Sequence, residues 1–147
     1  MSGIMGLDPG SSTGVAYFSD GRLQKLDTIE PVQLLWCIKN TMPARVIFED
    51  SRLESHLWNT NSSRAAALKM ARNVGEIDAW SKLIVAICAE LGIAAHGISP
   101  KSKGAKLSAE QFKAMTGWRG ASNQHTRDAG AVAWPYRKFT PKMDKEL

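Results

Sequence analysis

Asp8, Glu49, His125 and Asp128 are the side chains of this sequence whose types and spacing are best suited to chemistry. Asp8 ends the apolar run Ile4-Met5-Gly6-Leu7 and opens the turn Asp8-Pro9-Gly10-Ser11-Ser12-Thr13-Gly14. Glu49 ends a second apolar run, Val46-Ile47-Phe48. A carboxylate at the end of a buried strand costs free energy unless a cation or a partner compensates it. His125 and Asp128 stand three residues apart where a helical segment begins, a spacing that puts both on one face. Two strand-end carboxylates and such a pair can build one hard-cation site in a cleft. The chemistry that arrangement suggests is the cutting of phosphodiester bonds.

The elements that must hold these groups can be read from the pattern. Three strands are expected at 4–7, 14–19 and 23–29, with Asp20-Gly21 as a tight hairpin turn between the last two. Pro31 opens a helix that runs to about Thr41, and Met42-Pro43 ends it. Residues 45–49 then form a short buried strand. A polar loop leads to a long helix over 63–91, in which Met70, Val74, Ile77, Ile84, Ile87 and Leu91 make one stripe. Gly92 caps it, a fifth strand follows at 93–98, and Ser108-Ala109-Glu110-Gln111 is a capping box opening another helix. The last helix starts near His125 and runs to about Pro135. The order βββ-α-β-α-β-α-α implies a mixed five-stranded sheet flanked by helices, an α/β architecture in one domain spanning residues 1–147.

Charge points to the partner. Residues 1–98 carry 9 Lys and Arg against 10 Asp and Glu, whereas residues 99–147 carry 10 against 4, so the whole excess of +5 comes from the last third. A basic region beside an acidic site suits an enzyme that acts on a polyanion. Lys101, Lys103 and Lys106, in a loop near His125 and Asp128, are candidate phosphate contacts. Cys37 and Cys88 lack CxxC spacing and read as reduced core thiols. No apolar run approaches the roughly 20 residues of a membrane span, and no signal peptide is evident, so a cytoplasmic protein is expected. His56 and His96 read as non-catalytic, and Trp58 and Trp118 as peripheral packing with base stacking as the sharper alternative.

The motifs in order resemble the RuvC family of Holliday-junction resolvases. Gly6-Leu7-Asp8-Pro9-Gly10-Ser11 looks like its first motif, Val46-Ile47-Phe48-Glu49 like its second, residues 67–75 like the long helix that follows, and His125-Thr126-Arg127-Asp128-Ala129-Gly130 like the closing motif. Two departures stand out. The loop after Glu49 is longer than in typical bacterial members, although the whole chain is shorter, and Arg52 stands where those members carry an aromatic residue. The chain is in this respect similar to compact bacteriophage resolvases.

The resemblance implies an RNase H-like fold and a magnesium-dependent endonuclease that cuts branched DNA as a homodimer. Asp8 would bridge two Mg2+ ions, with Glu49, His125 and Asp128 completing their shells, and the products would be a 5′-phosphate and a 3′-hydroxyl. An imidazole among the ligands makes Mn2+ an expected substitute. Arg52 joins the three lysines as a candidate DNA contact. Asp50 rivals Glu49, but strand alternation sends the two to opposite faces, so only one can face Asp8; the family position selects Glu49. Trp80 and Leu83 lie off the helical stripe and offer either a dimer surface or a second buried layer within the monomer. Two alternatives are a RuvC relative that processes RNA and an actin-like ATP-binding protein, whose phosphate loop resembles residues 8–12 but which needs a second domain.

Overall fold

A computed structural model describes residues 3–53, 63–100 and 104–138. The strands are β1 (Ile4–Asp8), β2 (Thr13–Ser19), β3 (Arg22–Ile29), β4 (Arg45–Glu49) and β5 (Ala94–Ile98). They form one sheet in the order β3-β2-β1-β4-β5. The first three are antiparallel neighbours, and β4 and β5 run parallel to β1. The helices are α1 (Leu34–Thr41), α2 (Arg64–Leu91), α3 (Ala109–Thr116) and α4 (Gln124–Ala133). The expected mixed sheet flanked by helices is therefore the observed one.

Local chemistry sets the element ends. Asp20 and Gly21 both adopt positive φ, 53° and 76°, as a tight hairpin with matching strand twist requires. Ser63 caps α2 by accepting from the Ala66 amide, and Gly92 ends it at φ 70°. Ser108 with Gln111 closes the expected capping box on α3. The segment at Pro31–Gln33 is a 3-10 turn leading into α1, and α4 likewise passes into a 3-10 turn at Trp134–Tyr136.

Strand alternation divides the core in two. Met5, Leu7, Val46 and Phe48 face α1 and α2, where Leu34, Ile38, Ile84, Ile87 and Cys88 meet them. Ile4, Ala16, Phe18 and Ile47 face α4, against Ala129, Val132 and Ala133. Burial pushes the Cys88 thiol up to about 11 and also raises that of Cys37, so both stay protonated at neutral pH. No helix among the described residues is long and apolar enough to cross a membrane.

The long helix departs from the sequence expectation. Only its second half is buried, through Ser81, Ile84, Ile87 and Cys88, while Met70 and Ile77 of the expected stripe are exposed. The reason is length. Twenty-eight helical residues span about 42 Å, whereas the five-residue strands beneath span about 17 Å.

Candidate active site

Asp8 and Glu49 are the last residues of adjacent parallel strands, one step beyond the paired Leu7 and Phe48. Leu7 and Phe48 face α2, so alternation turns both terminal carboxylates toward the α4 side of the sheet. Asp50 goes the other way. It is 4% exposed and packs against Gly97 of β5, where an added Cβ would lie 2.8 Å from its carboxylate. Asp50 is thus turned from the side that Asp8 faces, as alternation along β4 requires.

Glycines let α4 deliver its pair. A Cβ at Gly14 of β2 would strike the backbone carbonyl of His125, and one at Gly6 would strike that of Ala129. Backbone therefore rests on backbone, and the first turn of α4 lies close to the end of β1. His125 Nδ1 stands 3.5 Å from Asp8 Oδ2, with the imidazole half exposed and the carboxylate largely covered. Asp128, 6% exposed, accepts a hydrogen bond from Gln124 Nε2 at 2.7 Å. Asn123 and Thr126 form a reciprocal cap at the helix start, and Asn123 Nδ2 donates to Thr28 Oγ1 on β3 at 3.0 Å. The helix is thereby fixed in register as well as in distance.

A cleft of about 350 Å3 opens over this pair. Residues 8–12 and His125 line it, and α2 contributes Asn73, Glu76, Ile77 and Trp80. Sequence reading did not single out Asn73 or Glu76. Their signal was present in the spacing, since 73, 76, 77 and 80 fall on one helical face. Trp80, which lies off the expected helical stripe, is partly buried and lines the cleft.

The donor set suits a hard divalent cation, being carboxylate oxygens with one imidazole. Among the described residues no three His, Cys, Asp or Glu side chains converge closely enough to hold one ion. Magnesium takes only one or two protein ligands and completes its shell with water and phosphate oxygens.

Of the four proposed DNA contacts, Lys106 and Arg52 fall among the described residues. Lys106 is exposed, and the next residue is tied to α4, because Arg127 Nε donates to Leu107 O at 2.9 Å. Lys101 and Lys103 lie outside the described residues, as do His56 and Trp58. Arg52 grips Asp50 through two side-chain bonds, Nε to Oδ1 at 2.9 Å and Nη2 to Oδ2 at 2.8 Å. That guanidinium holds the Asp50 carboxyl below the usual carboxylate range. His96 stacks on Tyr136 and meets Arg45, away from the cleft. Trp118 is held by its Nε1 donating to Ala121 O.

No family model and no curated protein matches the chain. Solved structures do. The Thermus thermophilus RuvC structure in complex with Holliday junction substrate matches with a TM-score of 0.62 at 17% identity, covering 91% of each chain. The yeast mitochondrial Holliday junction resolvase Ydc2 matches with a TM-score of 0.60 at 12% identity, covering 93% of this chain and 78% of that one. Identities this low establish a shared fold, the one the sequence motifs had implied.

Proposed function

We propose that this protein is a structure-selective DNA endonuclease that resolves four-way junctions and related branched DNA. The observation that carries the reading is His125 of α4 standing 3.5 Å from Asp8 at the end of β1, the strand that pairs with β4 and its terminal Glu49, in a fold shared with junction resolvases.

Asp8, Glu49, His125 and Asp128 would hold two magnesium ions, with manganese as a working substitute. Bound there, the ions would supply a polarised water for in-line attack and neutralise charge on the leaving 3′ oxygen, leaving a 5′-phosphate. The chain's own part is positional. The glycine contacts under α4 hold the imidazole beside Asp8, and Gln124 orients Asp128. Lys101, Lys103 and Lys106 would contact phosphates flanking the cut, and Arg52, held by Asp50, would contact DNA farther from it. A homodimer suits a substrate with two equivalent strands to cut, and exposed Leu68 and Leu83, which fall on one face of α2, support a partner on that helix.

The test is cleavage of labelled four-way, forked and duplex DNA with and without magnesium. Wild-type protein is expected to nick the branched forms only with the metal. Asp8→Asn should lower the rate by on the order of 10³-fold, the upper range for losing one preorganised charge-stabilising group, with junction binding retained. Near wild-type nicking by Asp8→Asn would remove the reading.

A further inference from the structure

Strand β3 ends the sheet. One of its sides pairs with β2, and among the described residues no strand pairs with the other. An open strand edge is a template for pairing, which proteins blunt with prolines, bulges or charged side chains. This strand is eight residues long and contains no proline. The register with β2 slips once, at Gln24, and then runs unbroken from Lys25 to Ile29. The Thr28 amide donates to the Asp27 carboxylate at 2.9 Å, so it points away from β2. Alternation then puts the amide and carbonyl of Leu26 on that same open side.

The charges on this stretch decide what it can pair with. Exposed Lys25 and Asp27 flank Leu26, and both line a groove of about 300 Å3 with Ile29, Trp36 and Cys37. Take a second copy running antiparallel along the edge, with the two-fold axis at Leu26. Each Leu26 then meets the other, and Lys25 of each copy stands opposite Asp27 of the other. An axis at Asp27 would instead oppose two carboxylates and set Lys25 against Ile29. Opposite charges across a strand pair attract and like charges repel, so charge selects the first register. The Leu26 amides and carbonyls bond each other there, and Asp27 exchanges the Thr28 amide for the facing lysine.

The surface beside the edge is apolar. Val32 is 81% exposed, Trp36 67% and Leu35 50%, all in the turn and helix that follow β3. A two-fold axis through a joined edge stands perpendicular to the sheet, so both α1 helices lie on one face and a Trp36 flanks the seam on each side. We propose that the β3 edge, with the α1 surface beside it, is an isologous interface joining two copies of this chain into one continuous sheet. It uses no residue of the cleft or of α2, so it is independent of the nuclease reading and additional to a partner on α2. One short strand pair is a weak contact, and this association step comes at high protein concentration.

Sedimentation velocity of the full chain over a concentration series reads the step, for wild type, Lys25→Asp, Asp27→Lys and an equal mixture of the two variants. Each variant alone sets like charges opposite each other at both facing positions. Its association constant should fall on the order of tenfold, the combined effect of two cross-strand charge pairs. The mixture should recover, because one chain then carries acid at both positions and the other carries base at both. The double exchange, Lys25→Asp with Asp27→Lys, keeps the wild-type net charge and should also associate as wild type does. Circular dichroism confirms the fold of each variant. A wild type without this step, single variants that associate as wild type does, or failure of either the mixture or the double exchange to recover would overturn the interface. Association that responds to Leu68→Ser alone would place it on α2 and overturn the β3 edge as well.

Discussion

The two helices that meet the cleft are held in opposite ways. Helix α4 lies on β1 and β2 with backbone against backbone, through Gly6 and Gly14, and a reciprocal cap pins its first turn. Helix α2 is buried only from Ser81 onward, and its first half carries exposed Leu68, Met70 and Ile77. The difference separates two tasks. In the proposed nuclease, groups that act on the reacting phosphate must be placed to a fraction of an ångström, and contacts between backbones have no rotamers to lose. A surface that receives a substrate or a partner instead keeps its apolar groups open until something covers them.

The largest break in that contrast should come from one methyl group. Gly14→Ala puts a Cβ onto the His125 carbonyl, and backbone cannot rotate out of the way. The first turn of α4 must move, carrying His125 from Asp8. A displacement near 1 Å lowers cleavage by about a hundredfold, with a stability loss of about 1–3 kcal/mol from overpacking. Cleavage kinetics and urea unfolding measure the two effects. Wild-type kinetics in this variant would mean that α4 is not placed by its contact with β2.

A smaller effect is expected at the joint between β4 and α2. Asp50 holds Arg52 on the side of the sheet away from Asp8. Asp50→Asn should cost about 1–2 kcal/mol, the worth of charged hydrogen bonds reduced by the partial exposure of Arg52. Cleavage should survive, because the carboxylates proposed to hold metal are elsewhere. The pH dependence has a definite sign. The folded-state pKa is depressed, so the contribution is complete above the ordinary Asp value of 3.8 and is lost as pH falls through the lower folded value. Acid unfolding curves of wild type and Asp50→Asn should converge at low pH; parallel curves would exclude the Arg52 pair as a source of acid sensitivity.

The smallest effect on the monomer sharpens the contrast from the other side. Leu68→Ser on the open half of α2 should change unfolding free energy by no more than about 0.5 kcal/mol, as surface positions do. Sedimentation should show it shifting a dimer toward monomer. A large loss of monomer stability would instead place Leu68 in a core.

Much of this was legible along the chain, and the reasons are local. Alternation from Leu7 to Asp8 and from Phe48 to Glu49 sends both carboxylates to one side of the sheet, a consequence of the two-residue period that needs no tertiary information. Caps at Ser63, Ser108 and Gly92 and the turn at Asp20-Gly21 follow from the conformations those residues prefer. The spacing of His125 and Asp128 placed them on one helical face before any fold was known. What the sequence could not state was where one element stops supporting another. The stripe on α2 continues through Met70 and Ile77 in the same rhythm as Ile84 and Ile87, and periodicity carries no information about the length of the sheet beneath. Trp80 lines the cleft because the helix outruns the strands there. Gly14 matters because α4, more than a hundred residues later in the chain, comes to rest on it. Both are facts of distance between segments remote in sequence, which only the packed structure decides.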